Sequence, residues 1–158
     1  MSSVKPIPEG YHHVTPYLFV KSAAKAIDFY KSVFAATEIM RMPGPDGRIM
    51  HAELRIGDSI IMLADENPKN GIMSPQTVGG FSVGLHAYAE NVDAVIQKAV
   101  ENGAKLLRPI QNQFYGDRSG TFLDPFGHMW SVATHVEDVS PEEMRRRMAS
   151  AMGQSAGS

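Results

Sequence analysis

The sequence predicts an α+β fold in which one unit, a strand, a helix and three further strands, is used twice in tandem. The first observation behind this is an echo between the two halves of the chain. From Asp46 to Asp65 it reads DGRIMHAELRIGDSIIMLAD, and from Tyr115 to His135 it reads YGDRSGTFLDPFGHMWSVATH. Arg48, an alternating strand and Gly57 in the first copy answer to Arg118, a strand and Gly127 in the second, where the strands meet at Asp124-Pro125-Phe126-Gly127. Such a repeat means one supersecondary unit used twice, neither copy able to cover its own apolar face alone. The second observation is that each copy follows a strand and an amphipathic helical stripe. The third is size: 158 residues with 43% hydrophobic content suit one well-buried domain and are too few for two ordinary ones.

Taken in order, residues 1–11 read as a flexible N-terminal arm of small polar residues, proline and glycine. The first unit covers 12–67. Its first strand runs from His13 to Val20, with Val14, Leu18 and Val20 on one face and Thr15, Tyr17 and Phe19 on the other. Ser22 is a suitable N-cap for a helix from Ala23 to about Phe34, whose Ala23, Ala26, Ile27, Tyr30, Val33 and Phe34 form one stripe. A strand from Glu38 to Met42 leads into a hairpin whose Asp46-Gly47 pair supplies positive φ. In the third strand Met50, Ala52, Leu54 and Ile56 alternate with His51, Glu53 and Arg55, so one face suits a helix and the other suits water or a polar ligand. Ser59 to Ala64 forms a fourth strand, apolar on both sides.

Asp65 to Gly80 carries turn residues without a period, and 68–80 is the inter-unit loop, placed to cover a site. The second unit, 81–136, has strands at Phe81–Ala89, around Lys105–Arg108, at Ser119–Leu123 and at His128–Thr134, with a helix from Val92 to about Asn102 stopped by Gly103. Residues 137–158 are read as a C-terminal helix and disordered tail. Ser140-Pro141-Glu142-Glu143 is a capping box, Met144, Met148 and Ala151 or Met152 share one side, and Arg145, Arg146 and Arg147 spread over a solvated face.

The formal charge of −2 and a pI near 6.3 supply no broad basic field, so nucleic acid and anionic membrane surfaces are not expected partners. Without cysteine there is neither a disulfide framework nor a thiolate nucleophile, and the opening residues show no signal-peptide pattern, so the expected location is cytoplasmic. No apolar run approaches the roughly 18 residues of a membrane span.

Two such units, the first opening VTPYLFVKSAAKAIDFYKSVF and the second closing GDRSGTFLDPFGHMWSVATH, resemble the vicinal oxygen chelate superfamily of glyoxalase I, extradiol dioxygenases, fosfomycin-resistance enzymes and bleomycin-resistance proteins. The match covers roughly His12 to His135. The tail EDVSPEEMRRR is similar to the glyoxalase-like branch associated with a phosphonate-utilisation gene cluster. The resemblance implies a pair of βαβββ units whose mixed sheets curl around a cavity, usually in a homodimer. Metal-dependent members place ligands on the first and last strand of each unit, which here fall on Thr15, Met62, Ser131 and Gly84. A hydroxyl, a thioether and a glycine do not replace imidazole or carboxylate donors, so no metal and no other cofactor is expected.

The face opposite the helices carries the candidate site. His51 and Glu53 leave one face about 6–7 Å apart, close enough to act as acid and base on one small ligand. An ionised Glu53 there needs a cation, from Arg55 or from a basic ligand. Tyr17, Phe19, Arg55, Met62, His86, Phe114, Tyr115, Arg118, Thr121, Met129 and Ser131 are the candidate ligand-binding residues, aromatic walls with a few polar groups being the usual make-up of a small-molecule pocket. Arg118 has a second reading as a turn-fixing partner of Asp117. A displaced metal site would have to draw on His51, His86, His128 and His135. Trp130 reads as core. Three functions stay open: metal-free binding of a small, partly aromatic molecule by a homodimer, a lyase or isomerase using His51 and Glu53 or a displaced metal, and a structural dimer.

Overall fold

A computed structural model describes residues 3–155, and the outer ends of the expected arm and tail lie outside the described residues. The elements are β1 (Tyr17–Val20), α1 (Ala23–Phe34), β2 (Thr37–Pro43), β3 (Ile49–Ile56), β4 (Ser59–Asp65), α2 (Pro75–Val78), β5 (Gly84–Tyr88), α3 (Val92–Glu101), β6 (Lys105–Asn112), β7 (Asp117–Leu123), β8 (Met129–His135) and α4 (Pro141–Ser155). They form two separate four-stranded sheets of the same design, ordered β1-β4-β3-β2 and β5-β8-β7-β6. In each, the first strand pairs parallel to the last and the other neighbours are antiparallel. The predicted α+β class and the doubled unit are therefore correct.

Each parallel pair needs a crossover helix, and both helices begin the same way. The first amide of α1, Ala23 N–H, donates to Asp65 Oδ1 on β4 at 3.1 Å, and that of α3, Val92 N–H, donates to Thr134 Oγ1 on β8 at 2.9 Å. The last strand of each unit thus caps the helix that follows its first strand, satisfying an amide that has no partner inside the helix. Ser22 occupies the N-cap position, but its side chain makes no capping bond, whereas Asn91 accepts from Ala94 N–H. At the start of α4, Ser140 Oγ accepts from Glu143 N–H at 3.2 Å, as a capping box requires.

The core lies on the helix side of both sheets. Ala26, Ile27, Tyr30, Leu54, Leu63, Ile96, Phe122 and Val132 are buried there, and α1 packs against α3. Phe29, Tyr30, Phe34, Phe122, Phe126 and Trp130 form one aromatic cluster joining the units, with Phe34 and Trp130 centroids 4.6 Å apart. Asp124 is buried inside it with every lone pair engaged. Its Oδ2 accepts from Tyr30 O–H at 2.5 Å and Trp130 Nε1–H at 3.0 Å, and its Oδ1 from the amides of Phe126 and His128 at 2.9 Å. Tyr30, on the first unit's helix, is bonded in this way to the turn of the second, and burial followed by the Asp124 carboxylate pushes its hydroxyl well above the ordinary range. Gly127 closes that turn with φ +95°, and Pro75 lies where its side chain would be.

The structure corrects several boundaries. β1 begins at Tyr17 and β5 at Gly84, so Val14, Phe81 and Val83 are exposed and do not extend the apolar strand faces. Pro16, lacking an N–H, precedes β1 directly. A register shift between Met42 and Pro43 opposite β3 turns Met50 outward and buries Ile49 in its place. The predicted loop contains α2 and is organised by Glu66, whose carboxylate accepts from Ser74 N–H, Ser74 Oγ–H and Thr77 Oγ1–H. Led by the Thr77 bond, these contacts hold the Glu66 carboxyl below its usual range.

Candidate functional site

Strand alternation determines what the sheet face away from the helices presents. Tyr17 pairs with Met62, Met62 with Glu53 and Glu53 with Met40, so these four form one row across the first sheet. On the same face Phe19 pairs with Ala64, and His51 with Met42. In the second sheet His86 pairs with Ser131 and Ser131 with Thr121, while Gly84 pairs with Met129. Met129 folds over Gly84 so closely that a Cβ there would clash with its Cε.

The polar residues on this face of the first sheet are connected. Tyr17 Oη and His51 Nδ1 are 2.7 Å apart, and His51 Nε2 stands 3.7 Å from Glu53 Oε2. Tyr11 O–H donates to Glu53 Oε1. Glu53 is only 7% exposed, so its carboxylate is largely withdrawn from water, with Oε1 bonded to Tyr11 and the unbonded Oε2 still accessible. The bond to Glu53, then burial, raises the Tyr11 hydroxyl above its ordinary range. Burial, then the Glu53 charge, does the same for Tyr17, so both phenols remain donors at neutral pH. The Tyr17 bond at Nδ1 orients the imidazole so that Nε2 faces Glu53. Arg55, the expected counter-charge, is exposed, with its guanidinium beside Gly10. Among the described residues Glu53 has no Lys or Arg at ion-pair distance.

The other candidates are distributed as follows. Tyr17 centres an aromatic group, 5.2 Å from the Phe19 ring and 5.4 Å from His51. His86 packs edge-on against Tyr88 at 5.0 Å. Phe114 and Tyr115 meet at right angles in the turn before β7, where Arg147 donates to the Phe114 carbonyl. Arg118 faces α3 and forms a two-point ion pair with Asp93 at 2.8 Å, so its partner is not Asp117. Asp117 instead accepts from Tyr88 O–H at 3.0 Å and bonds His135 Nδ1 at 2.8 Å, while His135 Nε2 bonds Asp138 at 2.7 Å. Carboxylates at both ring nitrogens favour the imidazolium form, and His135 is accordingly raised from its ordinary value, by Asp138 first and Asp117 second. The cluster formed by Asp117, Tyr88 and His135 was not visible in the sequence, nor was the part played by Tyr11. Tyr11 lies at the end of the stretch read as a loose arm, and an isolated tyrosine in such a stretch carries no periodic signal.

Two concavities adjoin β1. A slot of about 380 Å³ is lined by Tyr17, Phe19, Met73, Pro75, Val78 and Val83, among others, so the predicted covering loop does form a wall beside the two aromatic candidates. A groove of about 870 Å³ lies between the units, against Val33, Phe34, Ile61, Leu85, Val95 and Trp130.

The donor set does not fit a divalent metal. Thr15 precedes β1, Met62 faces Tyr17 and Ser131 faces His86. Among the described residues no three His, Cys, Asp or Glu side chains come together as a metal centre would require. The four histidines considered for a displaced site do not converge: His128 Nε2 is bonded to the Phe19 carbonyl and His135 to two aspartates.

Comparison with known proteins gives the same architecture. The family model described as the Glyoxalase/Bleomycin resistance protein/Dioxygenase superfamily matches residues 10–132. The uncharacterized protein Rv0887c of Mycobacterium tuberculosis is 41% identical over 140 residues, covering 87% of this chain and 82% of its own. Among solved structures, protein PA1353 of Pseudomonas aeruginosa aligns with a TM-score of 0.66 at 21% identity, over 80% of this chain and 99% of its own. TioX of Micromonospora sp. ML1 aligns with a TM-score of 0.62 at 24% identity, over 79% and 99%.

Proposed function

We propose a function from one premise: this chain belongs to the Glyoxalase/Bleomycin resistance protein/Dioxygenase superfamily. It binds a small, partly aromatic molecule on the face formed by Tyr17, Phe19, His51, Glu53 and Met62, without the divalent metal that many members use. The observation carrying this reading is Glu53, a largely buried carboxylate with one oxygen still accessible, in a sheet face whose neighbours are aromatic rings and thioethers. A strand that merely closed a dry interface would gain by being apolar on both sides, since an under-partnered buried charge is destabilising. Aromatic walls with a few convergent polar groups are what ligand sites are made of.

The protein acts as a homodimer in the cytoplasm, in the branch suggested by its EDVSPEEMRRR tail. Support for the dimer comes from Met42, Met50, Leu106 and Leu107, exposed apolar side chains on the strands at and next to the outer sheet edges. Among the described residues no helix is long and apolar enough to cross a membrane. A second reading, lyase or isomerase chemistry with His51 and Glu53 exchanging a proton with substrate, is favoured by their 3.7 Å separation and the Tyr17 bond that orients the imidazole. Native mass spectrometry of the purified protein, followed by a screen of small aromatic fragments by amide chemical shifts, tests the binding reading. Expected is a bound species whose shifts centre on Tyr17, His51 and Glu53 and weaken in His51→Ala. Shifts confined to other surfaces would overturn it.

A further inference from the structure

Two features of the Glu53 face specify the chemistry of its ligand. The first is a carboxylate with no Lys or Arg partner among the described residues. Glu53 Oε1 is occupied by the Tyr11 hydroxyl, whereas Oε2 stands 3.7 Å from His51 Nε2, beyond hydrogen-bond distance. Arg55, the cation nearest along the strand, lies beside Gly10, and among the described residues no Lys or Arg stands at ion-pair distance from Glu53. A carboxylate as buried as this is ordinarily matched by a cation. The second feature is shape. Tyr17 belongs both to the polar row and to the slot of about 380 Å³, whose remaining wall is almost entirely apolar: Phe19, Met73, Pro75, Val78 and Val83. A space of that size admits a group of one or two rings and offers it no counter-charge.

We infer that the ligand is a small aromatic cation, its protonated nitrogen against Glu53 Oε2 and its ring in the slot between β1 and the 65–80 segment. This rests on the reading that the face binds a ligand, and adds the ligand's charge and its two-part form. The Tyr17 ring, between the two halves, also offers its π face to the cation. The 65–80 segment becomes the part of the chain that selects the ring, since Met73, Pro75 and Val78 are its contributions to the wall.

The test uses three probes sharing one ring: tryptamine, indole and indole-3-acetate, titrated calorimetrically into the full-length protein at neutral pH. Tryptamine is expected to bind at least about tenfold more tightly than indole-3-acetate, with indole between them, and Glu53→Gln to reduce that ratio to about one. The variant keeps the side-chain shape and an acceptor for Tyr11, so it folds, and its amide spectrum verifies this. If the acetate or the neutral ring binds as tightly as the amine, with shifts at Tyr17, the inference is overturned while ligand binding on this face stands. An amine preference that persists unchanged in Glu53→Gln also overturns it. If none of the three binds and the fragment screen is also silent at this face, both readings fail.

Discussion

Replacing Asp124 should separate the two units energetically, and the size of the effect can be worked out from its four bonds. Asp124 is 3% exposed and accepts from Tyr30, Trp130 and two backbone amides. Asp124→Ala leaves the Tyr30 hydroxyl and the Trp130 indole N–H without acceptors in the core, at about 1–3 kcal/mol each, and loosens the 124–127 turn as well, for a total of about 4–6 kcal/mol. Asp124→Asn can retain both amides through its oxygen but turns its NH2 toward Trp130 Nε1, a donor that cannot reverse, and should cost about 2–3 kcal/mol. Tyr30→Phe removes one donor and leaves the carboxylate three others, so about 1–2 kcal/mol is expected. Trp130 is the only tryptophan and lies in the cluster, so its fluorescence during urea unfolding reports the transition directly. An Asp124→Asn variant within about 0.5 kcal/mol of the parent, or a Tyr30→Phe variant as damaged as Asp124→Ala, would refute the argument that this carboxylate ties the first helix to the second unit.

At the site, Tyr11→Phe should destabilise by about 1.5–3 kcal/mol because it removes the direct hydrogen bond to a buried carboxylate, whereas Glu53→Gln should be neutral or stabilising by up to about 1 kcal/mol; thermal unfolding decides both. Since the donor set does not suit a metal, zinc, nickel or manganese should leave the melting temperature unchanged, and a rise of several degrees that chelator reverses would contradict the metal-free reading. Glu143, held down to about 2 by Arg146 and then Arg147, helps retain α4 above its unfolded value near 4.5, and that help is lost as pH falls from there through about 2; acid titration of the α4 amide shifts should show it. His135 has the opposite sign. Its raised value means a contribution fully present below its ordinary 6.5 and lost as pH rises through the folded value, so amide exchange at Val136 and Glu137 should accelerate in mild alkali beyond the intrinsic pH effect. Light scattering should give twice the 17.3 kDa chain mass at tens of micromolar, and a monomer would remove the dimer proposal.

Much of the fold was legible because its signals are local. Asp46 and Gly47 adopt the positive φ their types favour, the Ala23–Phe34 stripe buries the side it displays, and the alternation of β3 puts His51 and Glu53 on the face away from the helices. Periodicity assigns a residue to a face but does not select its neighbour there. The bond from Tyr11 to Glu53, the bond from Tyr17 to His51, the Asp93 partner of Arg118 and the capping of both helices from the far strand all join residues distant in sequence. Each depends on strand order and register, which the sequence pattern leaves open. Met50 shows the limit within one strand: its type matched the apolar face, and a one-residue register shift turned it to solvent. The sequence by itself determined the repeated unit, its helices and the polar character of one sheet face. Tertiary structure alone decided that Glu53 is buried with a tyrosine and no guanidinium, because burial and pairing are properties of what folds over a residue and not of its own strand.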